Sequence, residues 1–250
     1  ERILSCMEIY LGEHMKILEY NTEKYYFAKL IGGLFNVDLA DLDNEEQKTN
    51  LTLGKDTHTS FHKVFYAKLD AEGGWPEFEN LYKAFVREVI FPLFEDDTLI
   101  YQATPGIRFN RPGAKAVYRW HSDGDSHHKH PLGELNVYLP ITKSYDNNTV
   151  WVESLPGLGD FSPVNLKYGE FMLGYLNQCR HGNKDNDTGR TRVSFDFRVM
   201  PGFAYDETCD KVTCTTKQPF KVGGYYDRIL RDETPDTFDP IENAKLGSAC

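Results

Sequence analysis

The sequence predicts a mainly β domain with helices at its front, and three observations carry that expectation. Between Thr98 and Met200, short runs rich in β-branched and aromatic residues alternate with Gly, Pro, Asn and Asp, a pattern that marks a sandwich or barrel. Ahead of it, apolar residues recur near a 3.6-residue period. The chain has 250 residues, a length that fits one domain, since β-barrels often run to about 250. We therefore expect a single domain over 1–250, with a mainly helical part over 1–96, a jelly-roll core over 97–202 and an irregular C-terminal wrap over 203–250.

Taken in order, residues 1–36 read as helical from Ile3, Leu4, Met7, Leu11, Met15 and Leu18, and residues 37–60 are polar and acidic. A helix from Pro76 to Phe91 follows from Phe78, Leu81, Phe85, Val89 and Ile90 on one face, with Pro76 at its start and Pro92 past its end. Strands are expected over 98–103, 106–110, 116–121, 134–141, 149–153, 170–176 and 191–199. Seven short strands in about a hundred residues suit a jelly roll whose two sheets enclose a ligand-sized mouth.

Hydrophobic residues at 40% and charged residues at 26% are ordinary for a folded protein. A net charge of −10 opposes phosphate backbones and anionic headgroups, so we expect neither nucleic acid nor membrane as a partner. Nothing in composition sets the oligomeric state. Five scattered cysteines suit a reducing compartment, and the protein reads as cytoplasmic. The start at Glu1 leaves organelle targeting open, and Cys209 and Cys214 are near enough in sequence to pair.

The chemistry concentrates after residue 116. His121 and Asp123 stand two positions apart at the end of an expected strand, so alternation sends both to one face. His181 lies 58 positions beyond Asp123. Two imidazoles and one carboxylate on one face of an octahedron leave open positions, which suits iron(II) and oxygen chemistry, whereas zinc favours a closed tetrahedron. Alone, an H-x-D is more often a solvated pair near a turn. Eleven positions after His181, Arg192 and Ser194 share one face of a strand, and a guanidinium with a neighbouring hydroxyl suits the distal carboxylate of a keto-diacid. Taken alone, Arg192 reads equally as a surface salt bridge.

The run H-S-D at 121–123, His181, and R-V-S at 192–194 resembles the iron(II)/2-oxoglutarate dioxygenases. With Leu135–Thr142, Asn148–Ser154, Arg180–Asn183 and Thr188–Arg198, the resemblance narrows to the phytanoyl-CoA and ectoine hydroxylase branch, especially its antibiotic-biosynthesis and free-amino-acid-modifying members. It covers about residues 100–202. It implies a cupin-like double-stranded β-helix and a non-haem dioxygenase using Fe(II), 2-oxoglutarate and O2. His121, Asp123 and His181 would hold the metal, while Arg192, Ser194 and Asn136 would bind 2-oxoglutarate, and no catalytic residue is implied beyond the metal ligands. Arg108, Arg119, His127 and Tyr138 are candidates for substrate. Halogenating relatives replace the metal carboxylate by a small residue, so retention of Asp123 points to hydroxylation, desaturation or cyclisation of a small polar metabolite such as an amino acid, its derivative or an aminocyclitol. His127, His128 and His130 read as a loop at the barrel mouth, although three imidazoles could hold a metal of their own. The rival readings are a cupin-like metal enzyme that does not use 2-oxoglutarate and a non-catalytic jelly-roll binding protein.

Overall fold

The computed structural model of the protein describes residues 15–39, 42, 59–114 and 120–233. Among the described residues, ten strands form two antiparallel sheets. The larger runs in the order β1 (Met15–Glu19), β7 (Glu170–Gly174), β4 (Leu135–Pro140), β9 (Arg192–Pro201), β2 (Thr98–Gln102), β10 (Tyr226–Leu230), with β3 (Gly106–Asn110) also paired to β9. The smaller has the order β6 (Ser162–Pro163), β5 (Val150–Val152), β8 (His181–Asn183). Among the described residues, the helices α1 (Phe27–Phe35), α2 (Ser60–Leu69) and α3 (Pro76–Phe85) precede β2. The architecture is a jelly roll with helices on one flank.

The alternation along β9 divides the molecule. Val193, Phe195, Phe197 and Val199 join the main apolar core with the helices, and Phe195 lies 5.7 Å from Phe27, 6.0 Å from Phe65 and 5.5 Å from Phe78, ring centre to ring centre. Arg192, Ser194, Asp196 and Arg198 therefore point the other way, into the space between the sheets. On β4 the same alternation sends Val137 and Leu139 to the helices and Asn136 and Tyr138 inward. Tyr138 and Met172 meet Val150, Val152, Val164, Leu166, Leu176 and Cys179 in a second apolar cluster between the sheets. A large polar residue opposite a phenylalanine-rich face is what fixes the register, because a one-residue slip would bury four polar groups against the helices.

Several expectations change. Met15–Glu19 is a strand, not helix: it pairs with β7 as the sheet's edge, Met15 opposite Gly174 and Glu19 opposite Glu170. Backbone pairing outweighs the short helical period there, and the helix begins only at Phe27. Residues 1–14 of the expected first helix lie outside the described residues, as do 116–119 of the expected strand 116–121. The helix from Pro76 is present, but its last turn widens into a π-turn over Val86–Ile90 before a short 3-10 segment ends at Leu93. Ser60–Leu69 is a helix that the sequence did not announce. The C-terminal part is less irregular than expected, since Tyr226–Leu230 adds β10 to the sheet beside β2. Cys209 and Cys214 are both free thiols.

Candidate metal centre

An antiparallel bridge between His121 and His181, with backbone bonds from 123–124 to 176–177, assembles the centre. His121 and His181 exchange backbone hydrogen bonds of 3.1 and 2.7 Å, Asp123 N–H donates to Leu176 O at 3.1 Å and Gly124 N–H to Asn177 O at 2.8 Å. Any side chain at 124 would stand 2.8 Å from the Asn177 carbonyl oxygen, so only glycine permits this approach. The loop then closes as His130 N–H donates to Asp123 O at 3.0 Å.

This pairing converges three donors. Asp123 Oδ1 lies 3.8 Å from His121 Nε2 and 3.6 Å from His181 Nε2, and the two rings are 4.5 Å apart. A metal bound at roughly 2.1 Å from each donor needs them about 3 Å apart, so small side-chain rotations complete the site. The three residues could hold a metal ion, and two nitrogens with one oxygen form the facial set that suits iron(II).

The surroundings fix the protonation states a metal needs. Burial opposes charge on Asp123, but Arg198, His181, His130 and Asn136 outweigh it and hold the carboxyl well below its usual range. Its second oxygen, Oδ2, accepts from Arg198 Nη2 at 2.9 Å, Arg198 Nε at 3.1 Å and Asn136 Nδ2 at 2.6 Å. Oδ1 is thus turned toward the histidines. Burial lowers the pKa of His181, and its Nδ1–H donates to Cys179 O at 3.2 Å, which leaves Nε2 with its lone pair toward Asp123.

At the far end of the inner face Arg192 is 2% exposed. Its Nη1 donates to Ser194 Oγ at 2.7 Å and its Nε to Asn148 O at 2.9 Å, and the guanidinium sits 5.9 Å from the Tyr138 ring centre. Hydroxyls gather beside it: Tyr138 and Ser144 share a 2.6 Å hydrogen bond, and Ser144 donates to Thr149 at 2.6 Å. Arg192 and Arg198 are six residues apart on one strand, roughly 20 Å along it. Both arginines lie on the inner face, Arg192 beside Ser194 and Arg198 beside Asp123.

No family model matches the sequence. The chain is 32% identical over 174 residues to the streptomycin biosynthesis protein StrG of Streptomyces griseus, across 70% of this chain and 78% of that protein. The chain belongs to the StrG family. Its fold is also that of EctD from S. alaskensis in its apoform, with a TM-score of 0.53 at 14% identity over 89% of this chain and 82% of that one.

In this StrG-family chain the remaining expected site residues are placed as follows. Asn136 touches Asp123, so the structure sets it beside the metal carboxylate. Its Oδ1 is a buried acceptor without a partner among the described residues, as is Asn110 Oδ1 opposite Arg192. Buried acceptors left without a partner suit a hydrogen-bonding occupant. Arg108 pairs with Asp196, its Nε donating to Asp196 Oδ1 at 2.7 Å. Tyr138 is buried, with its ring beside the Arg192 guanidinium. Arg119 lies outside the described residues. His127 is exposed on the loop after Asp123, and His128 stacks on His121 at 4.4 Å.

Sequence reasoning missed Arg198 and Asp196, although both continue the inward alternation that singled out Arg192 and Ser194. Alternation suggests an inward-facing Glu134 but not its partners: this fully buried carboxylate accepts from His130 Nδ1 at 2.7 Å and from Tyr226 OH. No described helix is long and apolar enough to cross a membrane.

Proposed function

We propose that this StrG-family protein is an oxygenase that uses Fe(II), 2-oxoglutarate and O2 to oxidise an unactivated C–H bond of a small polar metabolite. One observation carries the reading: two imidazoles and a carboxylate converge, and the inner face carries a buried arginine with a hydroxyl at its side. The donor set fits iron(II), and the arginine fits the distal carboxylate of a keto-diacid. Iron(II) together with 2-oxoglutarate supplies an oxidant derived from dioxygen, with succinate and carbon dioxide as co-products.

The chain's own residues do the positioning. Arg198 and Asn136 hold the Asp123 carboxylate ionised and aimed, and the Cys179 carbonyl orients His181. Arg192, with Ser194, would receive the far carboxylate of 2-oxoglutarate, while Tyr138, Ser144 and Thr149 shape that end of the cavity. Met172, Val150 and Val152 keep its wall apolar, which limits water near the reacting bond.

For the substrate, the role of StrG in streptomycin biosynthesis supports a small metabolite over a macromolecule, and an amino acid, its derivative or an aminocyclitol fits that class. Arg108 is already paired with Asp196, so a carboxylated substrate has less to draw it than the sequence suggested. The test is a substrate panel of these three classes with Fe(II), 2-oxoglutarate and air, read by succinate formation. Succinate in step with one oxidised compound is expected. A panel giving succinate with none of them, from protein shown to bind both Fe(II) and 2-oxoglutarate, would refute the substrate class.

A further inference from the structure

The loop after Asp123 meets the C-terminal segment at a second cluster of donors. His127, His128 and Cys214 each offer one ligand atom, and these atoms lie within 4.8 Å of one another. Cys214 sits at the tip of a closed turn, in which Thr213 N–H donates to Gln218 O at 2.9 Å and Lys217 Nζ to Cys214 O at 2.9 Å. The turn presents the thiol, which is in no disulfide.

The histidine side is built as well. Asp125 Oδ1 accepts from the backbone N–H groups of His127 and His128 at 2.9 and 2.8 Å, and lies 2.9 Å from His128 Nδ1. When His128 Nδ1–H is given to a carboxylate, Nε2 keeps its lone pair. Metal-ligating histidines are held in this way, with the second ring nitrogen on a carboxylate that fixes tautomer and direction.

We propose that His127, His128 and Cys214 form a second metal site, for a divalent cation of the zinc class, separate from the centre at His121, Asp123 and His181. Two imidazoles and a thiolate, with water in the fourth position, match zinc's tetrahedral preference. The first centre offers oxygen in place of sulfur, so donor softness divides the two metals. Bonds of about 2.0–2.1 Å to nitrogen and about 2.3 Å to sulfur require the donors to close in slightly, and His127 is exposed and can turn.

The site would add a third tie between two segments that already touch. His130 packs 4.7 Å from Phe220 and 5.7 Å from Tyr225, ring centre to ring centre, and Tyr226 OH donates to Glu134. A cation at Cys214 fastens the C-terminal turn to the loop and holds the His128 ring that stacks on His121. Its occupancy therefore bears on the order of the loop beside the first centre.

The experiment is a titration of metal-stripped full-length protein with Co(II), following bound cobalt by equilibrium dialysis and the thiolate-to-cobalt charge-transfer band in the near ultraviolet. The wild type should show the band and a second equivalent of bound cobalt. His181→Ala should keep the band, while Cys214→Ser and His127→Ala should each lose the band and one equivalent. His127→Ala changes only an exposed side chain, so loss of the band there does not arise from unfolding. Cobalt binding without the band in the wild type, or a band that survives Cys214→Ser, overturns the proposal.

Discussion

The guanidinium of Arg198 grips Asp123 Oδ2 through Nη2 at 2.9 Å and Nε at 3.1 Å, leaving Oδ1 to the two histidines. Asp123 is 2% exposed, so the arginine is what allows a charged carboxylate to remain there without metal. Arg198→Met should destabilise the metal-free protein by about 3–5 kcal/mol, the usual cost of leaving a buried charge unpaired. Urea unfolding checks this, and Arg198→Lys should recover part of the loss. Wild-type stability in Arg198→Met would mean that the pairing does not hold the site.

Arg192 offers a cleaner division between metal and cosubstrate. Arg192→Gln should weaken 2-oxoglutarate binding by about 1.5–3 kcal/mol, roughly tenfold to 150-fold in Kd, the range for hydrogen bonds to charged groups. Fe(II) affinity in the absence of 2-oxoglutarate should be unchanged, because Arg192 is not one of the three metal-donor residues. Paired calorimetric titrations of Fe(II) and 2-oxoglutarate separate the two effects.

Acid sensitivity should follow Asp196. Burial alone would raise its carboxyl, but Arg108 and Arg198 outweigh that and hold it well below the usual range. A depressed folded-state pKa gives stability that is present above the unfolded value of about 3.9 and is lost as pH falls through the folded value. Asp196→Asn should therefore flatten the decline in unfolding free energy below about pH 5. Equal slopes in mutant and wild type would contradict this assignment.

The helical flank should depend on Phe195, whose ring meets Phe27 of α1, Phe65 of α2 and Phe78 of α3. Phe195→Ala should cost about 3–5 kcal/mol, measured by thermal unfolding. Its neighbour Ser194 faces the opposite way, so Ser194→Ala should change 2-oxoglutarate affinity more than melting temperature.

Alternation made most of the barrel legible: β2, β3, β4, β5 and β7 lie within the expected strands, and β9 overlaps the strand expected over 191–199 and runs on to Pro201. The same signal ran through β9 to Arg198, yet the reading stopped at Ser194 because the resemblance supplied a role only that far. Met15–Glu19 was misread since five residues with Met15 and Leu18 apolar fit a helical period as well as a strand, and only pairing with β7 decides. Ser60–Leu69 carries His62, Lys63 and Lys68 among its apolar residues, which dilutes its pattern, and His62 is placed by a contact with Ile107 O at 3.1 Å that no local rule contains. Arg108 looked available for a ligand for a related reason. Its partner Asp196 stands 88 positions away, and sequence shows charge without showing pairing. Cys214 meeting His127 and His128 is long-range too, and nothing around Cys214 announces it.

The most direct test of the central claim is anaerobic addition of Fe(II) and then 2-oxoglutarate to metal-stripped protein, followed by visible absorption. A charge-transfer band that appears only when both are present, and is absent from Asp123→Ala, is the predicted result. A folded protein that stays colourless with both present would contradict an iron(II) and 2-oxoglutarate site at His121, Asp123 and His181.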